Sequence, residues 1–367
     1  MIHNGLNINL KASTGGIRYN QCCLYSSALP FANDKDAFNW NNPTFTEIRE
    51  KNKAGEWLTG CWQCQRLEQA GTKSFRQAMI EKFGVRENIS GPQRIDLLFD
   101  RSCNLACRTC SPESSTFWSK HLKDNSIQFP VFPETNNLAK IEELLKSLDL
   151  SNLEMVQFCG GETLLGNTYW QTAKLLAELI PNAKDKLELG FQTNGTQPIN
   201  KQYFDIIEKF KLVKLMVSLD STKEKFEYLR WPANWNQTTD NIFKLRETLP
   251  GNVMFIVQET TSCLNLFYFD EVSDWVKEHF STNREGDVVN YSTQLAMHEY
   301  LNVRNITQEY VDALAGTRQI HTLGNNWKEN PDSIKRFISE TEKFDALRGQ
   351  DWKKVFPEVA EFYKRYI

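Results

Sequence analysis

The sequence predicts an α/β protein built on a mainly parallel sheet, and two observations support that prediction. Short apolar runs alternate with helical patterns after residue 93, and such alternation is typical of parallel sheets, either open or barrel-like. Short polar motifs directly follow several of the runs, where the carboxyl ends of parallel strands would meet. The strand candidates are Ile95 to Phe99, Met155 to Phe158, Leu187 to Gln192, Leu215 to Leu219, Val253 to Gln258 and Val288 to Ser292, and the helical stretches lie near 113–123, 138–149, 168–180, 200–210, 238–248 and 268–279.

Composition narrows the class of protein. The 367 residues suffice for one large core with an appended module, or for two ordinary domains. The net charge is −3 without a dense block of Lys or Arg, so we expect no nucleic-acid partner. We find no leader and no apolar run of about 18 residues, and therefore expect a cytoplasmic protein that does not enter membranes. The nine cysteines are concentrated in the first third, which favours metal ligation over a disulfide framework.

Residues 1–85 are predicted to form a small separate module. A short hairpin around the turn Ser13-Thr14-Gly15 comes first. A helix then begins with Thr44 as its cap and ends at Gly55. The module therefore offers a hairpin and a helix on which to place its cysteines.

The cysteines of this module have a spacing that suits a metal. Cys61 and Cys64 form a C-x2-C pair, and two thiols at that spacing can chelate one metal. Cys22 or Cys23 would approach from the hairpin, although adjacent cysteines seldom both face one metal. A metal site is predicted here, and a structural zinc ribbon is the alternative.

The first strand after residue 90 runs into a loop with three cysteines. Cys103, Cys107 and Cys110 have the spacing C-x3-C-x2-C. Three thiolates are one fewer than the four that close a zinc site or an ordinary ferredoxin site. A cluster bound here would keep one iron open to another ligand. The alternative is a three-cysteine zinc site completed by a distant histidine, with His121 the nearest after the loop.

Polar motifs follow the next three strands. Glycines let backbone approach a ligand closely, a carboxylate accepts hydrogen bonds from an ammonium group, and hydroxyl or amide groups suit ribose and carboxylate ligands. Each motif by itself is also a common turn or helix cap. The residues are Gly160, Gly161 and Glu162, then Thr193 and Asn194, then Ser218 and Asp220, with Arg230 in the following loop.

In this order the motifs resemble those of radical S-adenosylmethionine (SAM) enzymes. The resemblance implies a partial (β/α)6 barrel over residues 90–294. The helical and aromatic pattern of residues 295–367 predicts a helical C-terminal extension. It also implies a 4Fe-4S cluster on the three-cysteine loop, with SAM chelating the fourth iron. Glu162 and its two glycines would bind the SAM amino group, Arg230 its carboxylate, and the other polar residues SAM or substrate. The family commonly has an aromatic residue where this chain has Thr109, so adenine is given no contact.

The N-terminal module resembles the SPASM and twitch modules that carry auxiliary iron–sulfur clusters in many radical SAM enzymes, although here it precedes the barrel. That resemblance implies a second cluster, of the 4Fe-4S type, in a short twitch-like form. Its ligands would be Cys61 and Cys64 with Cys22 or Cys23, and the fourth ligand is left open.

The implied function is an oxidoreductase-type or transferase-type enzyme that cleaves SAM reductively. The resulting 5′-deoxyadenosyl radical would abstract hydrogen from a substrate carbon. The family resemblance favours a peptide or protein side chain as the substrate. A nucleoside, sugar or amino acid as substrate is one alternative, and a non-catalytic zinc protein that binds a partner is another. A flavodoxin or ferredoxin would donate electrons. Cys263, just after the fifth strand, is a candidate hydrogen-atom donor or auxiliary-cluster ligand.

Overall fold

The computed structural model describes residues 5–10, 17–25, 39–69, 71, 73–86, 90–130, 132, 138–280, 290–296, 298–323 and 327–367. Within these ranges one sheet of eight strands runs through the molecule in the order β2-β1-β3-β4-β5-β6-β7-β8. The strands are β1 (Gly5–Leu10), β2 (Ile17–Asn20), β3 (Arg94–Leu98), β4 (Met155–Phe158), β5 (Glu188–Thr193), β6 (Leu212–Ser218), β7 (Val253–Thr261) and β8 (Asn290–Leu295).

The predicted α/β fold with a partial barrel is confirmed. Strands β3 to β8 are the six predicted strands, and each pairs in parallel with the next strand along the chain. The first two residues predicted for β8, 288 and 289, lie outside the described residues. Helices precede and follow the strands as the sequence pattern predicts.

Fifteen helices lie in the described ranges, apart from short 3-10 turns. None of them combines the length and the apolar character needed to cross a lipid bilayer. They are α1 (Pro43–Lys53), α2 (Trp62–Gln69), α3 (Phe75–Phe83), α4 (Thr116–Asp124), α5 (Leu138–Ser147), α6 (Thr168–Leu179), α7 (Ala183–Lys186), α8 (Phe204–Ile207), α9 (Lys223–Leu229), α10 (Trp235–Thr248), α11 (Phe269–His279), α12 (Gln308–Ala313), α13 (Pro331–Arg348), α14 (Trp352–Val355) and α15 (Pro357–Phe362).

The N-terminal hairpin joins the sheet of the barrel. β1 and β2 pair antiparallel, as predicted, and the turn at residues 13–15 lies outside the described residues. β1 also pairs in parallel with β3, with Leu6 opposite Ile95. Strand pairing therefore crosses the predicted boundary between residues 85 and 90, and the division into three domains stays a prediction.

The helix predicted to have Thr44 as its cap is capped two residues earlier, at Asn42. The side chain of Asn42 accepts a hydrogen bond from the Thr44 N–H at 2.9 Å, so Asn42 is the cap and Pro43 occupies the first turn. Proline suits that position because its missing N–H would have no helical partner there. The cap predicted at Thr44 is wrong for this reason.

β3 shows how the sequence builds the two faces of the sheet. Successive side chains of a strand point to opposite faces. Ile95 and Leu97 are fully buried in the main core, which also contains Leu144 of α5. Arg94 and Asp96 alternate with them and form a buried ion pair at 2.7 Å on the other face. One face of β3 is therefore apolar and packs against helices, whereas the other is polar.

The polar face continues across the neighbouring strands. Gln192 of β5 donates a hydrogen bond to Gln258 of β7 at 3.1 Å. Lys214 of β6 contacts Glu188 of β5 at 2.6 Å. A sheet face with paired amides and charges is suited to polar ligands rather than to packing against helices.

The C-terminal extension has a core of its own. Phe337 of α13, Trp352 of α14 and Tyr363 are fully buried in a second apolar cluster. That cluster also contains Cys263 and Leu264, which follow β7. The extension is helical, as predicted, and packs against the carboxyl end of a barrel strand.

We expect Phe337→Ala to lower the free energy of unfolding by about 3–5 kcal/mol, because it leaves a cavity beside the ring of Trp352. Lys354→Ala, at a largely exposed position, should change it by less than about 0.5 kcal/mol. Urea unfolding followed by circular dichroism measures both. A Phe337→Ala variant as stable as the Lys354→Ala variant would contradict the assigned core.

Candidate functional site

Cys103, Cys107 and Cys110 lie together on the loop that leaves the carboxyl end of β3. Cys107 is buried, and the other two thiols are half-buried. Burial raises the pKa of Cys103 to about 12, and neighbouring anionic groups add to this rise. Burial likewise raises the pKa of Cys107 to about 12, and Cys103 adds to this rise. Burial and then Cys107 do the same for Cys110. Thiolates at this place need a strong cationic partner, which iron supplies.

The backbone of this loop is fixed on two sides. The N–H of Ala106 donates to the carbonyl of Trp231 at 2.8 Å, and the N–H of Arg108 donates to that of Leu229 at 2.7 Å. On the other side, the indole N–H of Trp118 donates to the carbonyl of Cys107 at 2.8 Å. The three thiols are therefore presented by a loop that cannot move independently of α4 and α9.

Asn104 ties the cysteine loop to the end of β5. Its side-chain oxygen accepts a hydrogen bond from Asn194 at 2.9 Å, and its nitrogen donates to Thr196 Oγ1 at 2.8 Å. No sequence motif predicted a role for Asn104. The sequence signal for such a role was its position between two candidate cluster ligands.

The glycine pair Gly160-Gly161 packs against the chain that leads into the cysteine loop. Gly161 has φ +47°, and a Cβ atom there would lie 2.3 Å from the carbonyl oxygen of Ser102. The N–H of Glu162 then donates to that same carbonyl at 2.7 Å. The glycines were predicted to let backbone approach a ligand, whereas the close approach that the structure shows is to residues 100–102.

Glu162 joins the ends of β4 and β5. Its carboxylate is almost fully buried and accepts hydrogen bonds from Thr193 Oγ1 at 2.6 Å and from the N–H groups of Asn194 at 2.6 Å and Leu164 at 3.0 Å. Burial raises the pKa of Glu162, and these hydrogen bonds counteract part of that rise. Glu162, Thr193 and Asn194, predicted separately, thus form one hydrogen-bonded unit.

Asp220 and Arg230 form a buried ion pair next to the cysteine loop. Arg230 Nη2 lies 2.9 Å from Asp220 Oδ1, and Arg230 Nη1 lies 4.0 Å from Cys107 Sγ. Asp220 Oδ2, Arg230 Nε and Ser221 Oγ are buried and have no hydrogen-bond partner among the described residues. Ser218 is buried at the end of β6, two residues before Asp220. Polar atoms without partners beside three thiols fit a site for a charged cofactor and a polar ligand.

The N-terminal cysteines have two different sets of neighbours. Cys22, Cys61 and Cys64 line one small cavity, in which Gln21 donates to Cys61 Sγ at 3.2 Å. Cys23 instead interacts electrostatically with Asp96 and Arg94 of β3 and with Cys159. The structure therefore brings Cys22, not Cys23, to the C-x2-C pair.

The described residues contain no group of three His, Cys, Asp or Glu side chains arranged for a single metal ion. A four-iron cluster does not require such a group, because each thiolate binds a different iron.

Cys263 is part of the apolar core of the C-terminal extension. It is fully buried in the second apolar cluster, and its Sγ is 3.9 Å from the carbonyl oxygen of Tyr300. Burial raises the pKa of this thiol above its usual range. Its predicted catalytic role stays a prediction.

The C-terminal helix α13 contacts the cysteine loop, which the sequence analysis did not anticipate. Arg108, between two of the cysteines, is buried in an ion pair with Asp345 and lies over the ring of Tyr228 at 4.3 Å. Arg348 donates to the carbonyl of Ala106 at 2.9 Å. No functional role was predicted for the extension, because these contacts join residues more than two hundred positions apart in the sequence.

A groove of about 880 Å³ opens beside Cys103 along α4. Thr116, Phe117 and Lys120 line it, together with Phe129. The thiol of Cys103 can therefore be approached from this side.

Comparison with known proteins agrees with the motifs. Residues 97–261 match the family model described as the Radical SAM superfamily. The matched segment begins in β3 and ends in β7, so it contains the cysteine loop, the Glu162 unit and the Asp220–Arg230 pair. It covers somewhat less than half of the chain. The comparison with curated proteins gave no match.

Several solved structures align with the chain at low identity. Native anSMEcpe with bound AdoMet is 17% identical with a TM-score of 0.39, and the alignment covers 70% of this chain and 62% of that one. SuiB of Streptococcus suis bound to its precursor peptide SuiA is 14% identical with a TM-score of 0.38, and the alignment covers 90% of this chain and 69% of that one. SuiB bound to S-adenosylmethionine has the same identity and TM-score, covering 94% and 69%. The chain thus spans less than two thirds of the length of anSMEcpe.

We expect Gly161→Ala to destabilise the protein more than Gly166→Ala. Both positions have positive φ, but a Cβ at Gly166 would meet nothing within 4 Å. The shared conformational cost is about 1–2 kcal/mol, and the clash with Ser102 should add about 1–3 kcal/mol at Gly161. Urea unfolding of the two variants measures the difference. Equal losses would show that residues 100–102 are not packed against the glycine pair.

Proposed function

We propose that the protein is a radical SAM enzyme whose cluster is held by Cys103, Cys107 and Cys110. The observation that carries the proposal is the position of these thiols on one fixed loop, at the carboxyl end of the first strand of the matched segment. The unpartnered atoms of Asp220 and Arg230 beside that loop give further support. When bound, the cluster would supply one electron to the SAM sulfonium, which yields methionine and a 5′-deoxyadenosyl radical able to take hydrogen from a substrate carbon.

The chain's own residues would bind and orient the co-substrate. Asp220 and Arg230 keep free hydrogen-bonding atoms beside Cys107, so we assign them to the charged amino-acid part of SAM, together with Ser218. Glu162 is occupied on three sides by Thr193, Asn194 and Leu164. We propose that the Glu162 unit, with Gly160 and Gly161, forms a rigid wall that offers one remaining carboxylate position to the SAM ammonium group.

We propose a peptide or protein side chain as the substrate and a flavodoxin or ferredoxin as the electron donor. The resemblance of the motifs to radical SAM enzymes with SPASM or twitch modules supports both. The polar face of the sheet, with Gln192 hydrogen-bonded to Gln258, offers amide groups that suit a peptide backbone. Mass spectrometry of candidate peptides after turnover, with a nucleoside and a sugar in parallel, distinguishes this substrate from a small molecule.

We further propose that Cys22, Cys61 and Cys64 hold an auxiliary cluster of the 4Fe-4S type. The shared cavity of these three thiols supports this ligand set. The residues fit a cluster with three protein thiolates and one further ligand. Cys23 does not line this cavity and interacts electrostatically with Asp96 and Arg94, so we leave it outside the set.

Replacing Cys103, Cys107 and Cys110 with Ala should abolish 5′-deoxyadenosine formation, because no other described group can bind three irons at this loop. Iron content should fall by about four per chain. Anaerobic reconstitution, iron analysis and chromatography of SAM products with dithionite as reductant give both values. Lys354→Ala, at a largely exposed position in the C-terminal extension, is the control for iron content. SAM cleavage that survives in the triple variant would refute the proposed function.

The auxiliary site predicts about eight irons per wild-type chain and about four in the Cys61→Ala/Cys64→Ala double variant. This variant should still cleave SAM, because the barrel cluster has independent ligands, but should not complete substrate modification. Iron and zinc analysis, with assays of both reactions, tests this. Four irons and one zinc in the wild-type chain would identify a structural zinc ribbon instead.

A further inference from the structure

Arg348 is the last residue of α13 and reaches the cysteine loop from outside the matched segment. Its guanidinium donates to the carbonyl of Ala106, between Cys103 and Cys107, at 2.9 Å. It lies over the rings of Trp118 at 4.5 Å and Trp231 at 4.8 Å. These contacts hold the charge of Arg348 at the loop.

Arg348 differs from the other two arginines of this region in its counter-charge. Arg108 is paired with Asp345, and Arg230 is paired with Asp220. Arg348 forms no ion pair with any carboxylate in the part of the chain that the structure describes, and its Nη1 is buried without a hydrogen-bond partner there. A largely enclosed cation of this kind needs an anion nearby.

The carbonyl that Arg348 contacts belongs to the residue before Cys107, so the charge of Arg348 lies beside the cluster site. Burial and the charge of Arg108 lower the pKa of Arg348 to about 9, so the described side chains compensate its charge poorly. A four-iron cluster on three thiolates is anionic and gains one more negative charge on reduction.

We propose that Arg348 is the counter-charge of the cluster on the cysteine loop and a positioning residue that makes this cluster easier to reduce. The inference rests on the proposed function, since it requires the cluster. It extends the electrostatic environment of the cluster to the C-terminal extension, which lies outside residues 97–261. A nearby cation stabilises the reduced cluster more than the oxidised cluster, because the reduced form carries more negative charge.

The test is a redox titration of the full-length, reconstituted protein, followed by electron paramagnetic resonance of the signal that responds to added SAM. Arg348→Met removes the charge and keeps much of the side-chain volume, and Arg348→Lys restores the charge. Arg304→Met is the matched control, because Arg304 donates to the carbonyl of Leu323 elsewhere in the extension. At a fixed potential, the ratio of reduced to oxidised cluster should fall about tenfold in Arg348→Met, a midpoint shift of about 59 mV to more negative values.

Arg348→Lys should recover most of that ratio, and Arg304→Met should not change it. An Arg348→Met variant with wild-type iron content and an unchanged midpoint would overturn the inference while leaving the proposed function intact. If Arg348→Met fails to hold iron, Arg348→Lys decides: a loaded Lys variant with the wild-type ratio supports the charge, and loss of iron in both overturns it in favour of packing. A wild-type protein without a SAM-responsive cluster would instead refute the proposed function itself.

Discussion

The rest of the site depends on how the cysteine loop is held. Its backbone is bonded to the segment at residues 229–231, its Asn104 to the end of β5, and its Arg108 to Asp345 of α13. Each contact alone is an ordinary hydrogen bond or ion pair, of the order of 1 kcal/mol. Together they fix the loop from three directions, so thiols that enter on one flexible segment acquire a defined arrangement.

The charges around this loop are the second feature on which the arrangement depends. A buried ion pair costs desolvation and gains attraction, so its net contribution to stability is small. Asp220–Arg230 and Arg108–Asp345 are such pairs, and we attribute to them a role in orientation more than in stability. The free atoms of Asp220 and Arg230 point to a ligand, because an isolated fold would satisfy them internally.

The sequence predicts the barrel strands well because their signal is local. Ile95 and Leu97 alternate with Arg94 and Asp96, and this pattern alone indicates the two faces of β3. The spacing of Cys103, Cys107 and Cys110 is also local. The pairing of β1 with β3, the contact of Asn104 with Asn194 and the ion pair of Arg108 with Asp345 join distant parts of the chain. No periodicity or spacing reports such contacts, and the choice between Cys22 and Cys23 likewise depends on how the chain turns after β2.

The most direct test of the central claim is whether SAM binds to the cluster on the cysteine loop. The protein is reconstituted with iron and sulfide without oxygen and reduced with dithionite, and its electron paramagnetic resonance spectrum is recorded before and after SAM is added. Our account predicts a 4Fe-4S signal that changes on SAM addition, because one iron has no protein ligand and can bind SAM. A reduced-cluster signal that stays the same at saturating SAM would contradict it.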